Sequence, residues 1–335
     1  MSDRPTVAVV FTGGTISMTV DPVAGGNVPT LDGAGILART AGLGDVADVV
    51  AIDHGRTPAS HFRFADLLGI AAVVRERLAD PMVAGVVVVQ GTDTIEETSF
   101  LYDLVVGGDK PVVVTGAMRS ASEDGYDGPV NLRDAVRCAA DPVLRGQGAL
   151  VVMAGEIHPA DDVAKTHSSA MTAFRSPNLG PLGVIAGGRV VLGRRRGPRR
   201  RVTTDRAVER VQLITAVVGM DGALVDAAVA AGAEGLVVAA TGSGNTSAEL
   251  LAAAERAMVA GVPVALATRC PAGRVSGGYA FPGGGAQWLR AGAMPAGSLS
   301  GPKARVALAL GIGAGLDGPG LRALLDDPVV TTGLG

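Results

Sequence analysis

Along the first half of the chain, short aliphatic runs alternate with stretches whose apolar positions recur at helical spacing. Residues 6–11 (TVAVVF) and 46–52 (VADVVAI) read as buried strands. Residues 62–79 carry apolar positions three and four apart, with the helix formers Arg-Glu-Arg near their end, and predict a helix. Residues 83–89 (VAGVVVV) are a further aliphatic run, closed by Gln90 and Gly91. Residues 94–106 predict a helix with Glu96 and Glu97 in its first turn, where the helix dipole favours negative charge. A strand over 111–115, a helix over 131–140 and a strand over 149–153 continue the series. Such repetition calls for right-handed crossovers and a mostly parallel sheet. Polar loops then gather at the carboxyl ends of the strands, where such sheets bind ligands.

Past Gly187 the pattern changes. Residues 193–201 (GRRRGPRRR) have no apolar period and predict a solvated linker; no aromatic residue is interleaved, as a single-stranded nucleic-acid surface would require. Strand-like runs at 211–218, 235–239 and 263–267 then alternate with helical stretches at 223–231 and 247–260, and helices over 303–310 and 320–325 close the chain. No repeat of solenoid period is present. The expected fold class is α/β, with two α/β domains. A larger N-terminal domain on a mostly parallel sheet spans residues 1–190, a linker 191–210, and a smaller C-terminal α/β domain 211–335.

Composition narrows the function classes. The 335 residues are 47% hydrophobic, 18% charged and 3% aromatic, so the chain can bury enough surface to offset its ordering entropy and is not disordered. Its apolar runs are too short to span a bilayer. A net charge of −3 gives no reason to expect a nucleic-acid partner. Cys138 and Cys270 each stand among apolar residues and predict small buried hydrophobes, not a disulfide framework. His54, His61, His158 and His167 lack metal-ligand spacing, so neither a metal nor a cofactor is expected. Residues 6–11 are too short for a leader core and run into Thr-Gly-Gly, not a small-residue cleavage site; a cytoplasmic protein is expected.

Three polar clusters carry candidate chemistry. The first is Thr12-Gly13-Gly14-Thr15-Ile16, directly after the first strand. Glycines there raise a dinucleotide reading, with Asp53 as a ribose-binding acid. The spacing is not G-x-G-x-x-G, however, and a Gly- and Pro-bearing stretch over 21–29 stands where that motif needs a helix. Adjacent glycines beside a threonine suit a backbone that approaches a substrate closely while presenting a hydroxyl. A tight turn after a strand is the plain alternative. The second cluster, residues 90–97, offers the Thr92 hydroxyl, the Asp93 carboxylate and the unpaired N–H groups of a helix start. Capping by Thr92, Asp93 or Thr94 is its plain alternative, and the two are compatible. The third, residues 161–167, contains Lys165, one of three lysines with Lys110 and Lys303. It is either a solvated surface charge or, folded against Thr92, a cation that eases removal of that hydroxyl's proton.

In order and spacing these clusters resemble the bacterial-type L-asparaginase/glutaminase family, from Val7 to about Leu310. The resemblance is carried by residues 12–16, by Gly91-Thr92-Asp93-Thr94 with Glu96-Glu97-Thr98, by Gly116-Ala117-Met118-Arg119, and by Asp127-Gly128-Pro129 with Asn131-Leu132. Lys165-Thr166, Gly180-Pro181-Leu182-Gly183, Gly242-Ser243-Gly244-Asn245 and Lys303-Ala304-Arg305 continue it. It implies that Thr15 attacks the side-chain carboxamide of asparagine, expels ammonia and leaves an acyl-enzyme for water, with weaker action on glutamine. Thr92, Asp93 and Lys165 would form a polar triad beside it, the Thr92 N–H facing the oxyanion and Asp93 pairing with the substrate's α-ammonium. Ala59, Ser60, Gly91 and Asn245 fall at the family's remaining substrate-binding positions. Asn245 comes from a neighbouring C-terminal domain in the family, which implies a homodimer or homotetramer with a small-molecule substrate.

The chain also departs from the family pattern. The usual loop tyrosine after the nucleophile is missing, since Tyr102, Tyr126 and Tyr279 all lie outside residues 16–29. The neighbour's glutamate has no counterpart in residues 282–285, leaving Tyr279 as the replacement to consider. The serine that grips the α-carboxylate falls at Ala59, with Ser60 adjacent, and the usual histidine before Gly91 is Gln90. Two other functions stay open on these residues: an amidotransferase subunit of the same family, and a non-catalytic amino-acid-binding protein on its scaffold.

Overall fold

The computed structural model describes residues 4–327, so residues 1–3 and 328–335 of the two expected domains lie outside the described residues. Contacts divide the chain into two units, one ending at Arg196 and the other starting at Gly197.

The first unit opens with β1 (Thr6–Phe11), a hairpin of β2 (Met18–Asp21) and β3 (Gly26–Pro29), helix α1 (Gly33–Ala38) and β4 (Asp48–Asp53). Helix α2 (Phe64–Ala79), β5 (Val83–Val89), α3 (Ile95–Val105), β6 (Val112–Thr115), α4 (Gly128–Ala140) and β7 (Ala149–Met153) follow. Five short strands end it: β8 (Glu156–Pro159), β9 (Ala164–Lys165), β10 (Phe174–Arg175), β11 (Gly183–Ala186) and β12 (Arg189–Leu192). Eight strands share one sheet in the order β12-β11-β8-β7-β6-β5-β1-β4. The pairings from β4 to β7 are parallel and those from β7 to β12 antiparallel.

The interior strands are continuous aliphatic runs because helices cover both faces of the sheet. Val7, Val9 and Phe11 of β1 join Val87 and Val89 of β5 in one cluster with Leu132, Ala135 and Val136 of α4. By the pleat, Ala8, Val10, Val86 and Val88 face the other way, and they too are fully buried. The strand expected over 46–52 corrects to β4, an edge strand paired only with β1, where Val50, Ala51 and Asp53 are exposed. One-sided pairing leaves it the sheet's margin, so its aliphatic residues are not evidence of burial. Asp53 accepts a hydrogen bond from the Gly33 N–H (2.9 Å) and so tethers the start of α1.

The basic run also corrects. Its arginines are not uniformly solvated: the Arg196 and Arg200 side chains are buried, while Arg195 is exposed. Arg196 bonds Asp103 (2.8 and 3.0 Å), Asp161 (2.8 Å) and the Gln147 carbonyl (2.8 Å), which compensates the burial of its charge. In the second unit Arg200 makes an equivalent pair with Asp327 at 2.7 Å.

That second unit contains β13 (Val211–Thr215), α5 (Ala223–Ala230), β14 (Gly235–Ala240), α6 (Ala248–Val259) and β15 (Val264–Thr268). It continues with α7 (Gly285–Ala291), β16 (Met294–Pro295), α8 (Gly301–Gly313) and α9 (Gly318–Leu325). Its sheet, β13-β14-β15-β16, is wholly parallel. The core packs Leu236, Val238 and Leu266 against Leu250, Ala254 and Trp288. The Ser247 hydroxyl caps α6 by accepting from the Leu250 N–H at 3.1 Å. Cys138 is buried in α4, where burial pushes its thiol well above the usual range, but Cys270 is exposed on a loop after β15, against expectation. Its apolar neighbours in sequence stand in a strand that ends at Thr268, before the chain turns outward. Among the described residues no helix is long and apolar enough to cross a membrane.

Candidate active site

Three polar loops leave the carboxyl ends of adjacent parallel strands β1, β5 and β6, and they are pressed together backbone to backbone. After β1, the Thr12 N–H and hydroxyl both donate to the Val89 carbonyl of β5 (2.9 and 3.0 Å). Gly13 and Gly14 then adopt φ of 108° and 95°, which L side chains rarely reach. A Cβ at Gly14 would lie 2.3 Å from the Gly91 nitrogen, so only glycine lets these two loops meet. Thr15 follows at the head of a tight 3-10 turn, Thr15–Ser17, and is half-buried. The turn is closed by the Ser17 N–H and hydroxyl, both donating to the Gly14 carbonyl (2.9 and 2.7 Å). Thr12 is thus spent inside the sheet, whereas Thr15 is delivered to the loop surface beside Gly91.

Beyond Gly91 the chain makes a 3-10 turn, Thr92–Thr94, that feeds α3. No side chain caps either helix start. The Thr92 hydroxyl instead accepts a hydrogen bond from Lys165 Nζ at 2.9 Å, and Thr94 donates to the Ala59 carbonyl at 3.3 Å. Lys165 Nζ also bonds Asp93 Oδ1 at 2.7 Å. The Lys165 side chain is 14% exposed and that of Asp93 72%, so the lysine is sheltered and the carboxylate is open to the loop surface. Lys165 is carried by β9, whose partner β10 sets it in register opposite Phe174. Glu96 Oε2 accepts from the Lys165 main-chain N–H at 2.9 Å and so ties β9 to the first turn of α3. A carboxylate in that turn was legible as a dipole partner, but its bond to a residue 69 positions away was not.

The other predicted positions divide. Ala59 is buried, and its Cβ would stand 2.9 Å from a Cβ at Gly91, so it lines the same loop junction. Ser60, next to it, is exposed. Gln90 is fully buried; its Oε1 accepts from the Thr98 hydroxyl at 3.0 Å and its Nε2 donates to the Gly91 carbonyl at 3.3 Å. Asn245 belongs to the second unit, where its main chain pairs with Thr241 and its Oδ1 accepts from the Gly285 N–H at 3.3 Å. Tyr279 is half-exposed in that unit, tilted against Phe281 at 5.8 Å between ring centroids. Among the described residues no cluster of His, Cys, Asp or Glu could hold a metal ion. A hydroxyl that follows a glycine turn packed on the Gly91 backbone, with the next residue after Gly91 carrying a second hydroxyl that receives a lysine's hydrogen bond, is an arrangement suited to acyl transfer.

Comparison with known proteins bears on the whole chain. The asparaginase N-terminal domain family matches residues 6–197, and the glutaminase/asparaginase C-terminal domain family matches residues 210–325. The chain is 38% identical over 338 residues to a probable L-asparaginase of Deinococcus radiodurans, an alignment covering 97% of this chain and 98% of that one. It is 30% identical over 304 residues to an L-asparaginase of Bacillus licheniformis, covering 91% and 94%. The crystal structure of a probable cytoplasmic L-asparaginase from Campylobacter jejuni superposes with a TM-score of 0.86 at 26% identity, over 96% of this chain and 99% of that one. With both units matched in order and relatives aligned almost end to end, the chain belongs to the bacterial-type L-asparaginase/glutaminase family.

Proposed function

We propose that the protein hydrolyses the side-chain amide of L-asparagine to L-aspartate and ammonia through an acyl-enzyme on Thr15. The observation that carries this reading is the Lys165 ammonium, held 2.9 Å from the Thr92 hydroxyl and 2.7 Å from Asp93 beside the Gly13-Gly14-Thr15 turn. A threonine hydroxyl is a poor nucleophile at neutral pH and needs a proton acceptor and a stabilised oxyanion. The Lys165 charge lowers the energy of the Thr92 alkoxide formed by loss of its proton to water. The alkoxide takes the Thr15 proton as the Thr15 oxygen bonds the carboxamide carbon, and passes that proton to the nitrogen as the C–N bond breaks and ammonia leaves. The Thr92 N–H, at the first position of its turn, has no acceptor within that turn and is available to an oxyanion. Asp93, with most of its carboxylate open, pairs with the α-ammonium, and Ala59 and Ser60 flank the α-carboxylate. Action on glutamine is weaker, because the same anchors must accommodate one more methylene. Asn245 of a second copy completes the site, so the working form is a homo-oligomer and the enzyme acts on a free amino acid. The test is ammonia release from asparagine by the purified protein, with Thr15→Ala and Thr12→Ser alongside. Turnover by the parent and Thr12→Ser but not by folded Thr15→Ala supports the reading; ammonia release by Thr15→Ala near the parental rate refutes it.

A further inference from the structure

The family's loop tyrosine is missing here, but a different tyrosine reaches the nucleophile's turn from 110 residues downstream. Tyr126 Oη donates to the Ile16 carbonyl at 2.6 Å. Inside that turn the Gly14 carbonyl accepts from Ser17 and the Thr15 carbonyl from the Met18 N–H. The Ser17 carbonyl accepts from the Thr30 and Leu31 N–H groups at 2.9 Å. The Ile16 bond ties the turn itself to the loop following β6.

That loop is a stiff support. Asp127 accepts from the Met118 N–H (3.0 and 3.1 Å), the Arg119 N–H (3.0 Å) and Asn131 Nδ2 (2.9 Å). Glu123 accepts from the Ser120 N–H, and Arg119 Nη1 donates to the Asp124 carbonyl at 2.8 Å. The same loop grips the hairpin above the turn: the Ala121 N–H donates to the Met18 carbonyl (2.9 Å) and the Val20 N–H donates to Ser122 Oγ (3.1 Å). Gly128 makes the room for the ring, since a Cβ there would lie 2.5 Å from the Tyr126 Cε2 and 2.6 Å from its oxygen. Burial, offset in part by Arg39 and reinforced by Asp127, pushes the Tyr126 phenol up to about 12, so it stays a donor at neutral pH.

We propose that Tyr126 is a positioning residue for the reaction: by holding the Ile16 carbonyl, it fixes the Thr15 turn and the foot of the β2–β3 hairpin in the attacking arrangement. The inference rests on the reading of Thr15 as nucleophile. A hydroxyl held within the turn saves the ordering that a loose loop must undergo in each turnover, so its loss lowers kcat more than it raises KM.

The experiment is Tyr126→Phe, which keeps the ring against Gly128 and removes only the donor. It is examined by steady-state ammonia release, thermal melting and amide hydrogen exchange of residues 14–20. The expected result is a kcat about fivefold to tenfold lower, a KM within about twofold, a nearly parental Tm, and exchange about fivefold faster confined to residues 14–20. An active enzyme whose Tyr126→Phe kcat is unchanged overturns the inference, as does unchanged exchange at residues 14–20. Faster exchange across the whole first unit, with a matching fall in Tm, assigns Tyr126 to general stability and equally overturns it. If the parent itself releases no ammonia, the hydrolase reading fails, and the exchange measurement alone still decides whether Tyr126 holds the turn.

Discussion

Replacing Lys165 with methionine keeps the apolar stem and removes one charge, and the geometry sets how much that charge is worth. Its Nζ stands 2.9 Å from Thr92 Oγ1. Taking an effective dielectric constant of about 20, a unit charge at that distance from a full negative charge contributes roughly 6 kcal/mol, and roughly 3 kcal/mol when the oxygen is half-ionised in the transition state. About 3 kcal/mol of lost transition-state stabilisation corresponds to a kcat roughly a hundredfold lower. In the resting enzyme Thr92 is neutral, so the ground state loses only a hydrogen bond, about 1 kcal/mol. Asp93, 72% exposed, is left to water and not stranded, so folding stability changes little. The expected Lys165→Met enzyme therefore shows a large fall in kcat, a KM within a few-fold and a nearly parental Tm. Steady-state ammonia release with a parallel thermal melt measures all three. A loss confined to KM would reassign Lys165 to uniform substrate binding. A kcat within twofold of the parent would refute the idea that its charge acts on Thr92 at all.

Other perturbations test the frame around the site. Arg196→Ala removes the paired guanidinium from the buried Asp103 carboxylate, which also accepts from the Ala149 N–H at 2.9 Å; the expected cost is about 3–5 kcal/mol in urea unfolding, against roughly 0.5 kcal/mol or less for the exposed Arg195→Ala. Equal small effects for the two arginines would show that the buried pair contributes nothing. Gly14→Ala forces a side chain to φ 95° and against the Gly91 nitrogen, so turnover should vanish while the far-ultraviolet circular dichroism persists; an active variant would mean that the two loops separate freely. Asp327 is raised by burial but lowered further by Ser298 and Arg200 and by the charges of Arg200 and Arg274, which leaves it below its ordinary 3.8. Because its folded value is the depressed one, its contribution is complete above the unfolded value and is lost as pH falls through the folded one. The Tm deficit of Asp327→Asn at pH 7 should therefore shrink as the pH falls below the ordinary value of 3.8, and a deficit constant with pH would assign it to packing.

The interior strands were legible because burial on both faces leaves a continuous aliphatic signature, as in residues 83–89, which fold as β5 with the expected bounds. Glycines and hydroxyls immediately after such runs also marked where candidate chemistry sits, since the carboxyl ends of parallel strands converge. The edge strand β4 was misread as buried because a strand's own pattern reports its residue types and not how many neighbours it has. Nor did local periodicity reveal the short strands β8 to β12, which are too brief to show a period, or the hairpin at 18–29, whose glycines suggested only a loop. Arg196 and Arg200 looked like members of a solvated run, and what buries them are carboxylates 93 and 127 residues away. The site's contacts span similar separations. Lys165 and Thr92 are 73 residues apart, and their contact was expected only through the family resemblance; Tyr126 and Ile16 are 110 apart and were not expected to meet; no local preference encodes either pairing. Local sequence determines which faces are apolar and where turns can form, because those depend on each residue's own chemistry and its near neighbours. Which charge meets which hydroxyl depends on distances set only when the sheet has brought its strand ends together, and that the tertiary structure alone decides.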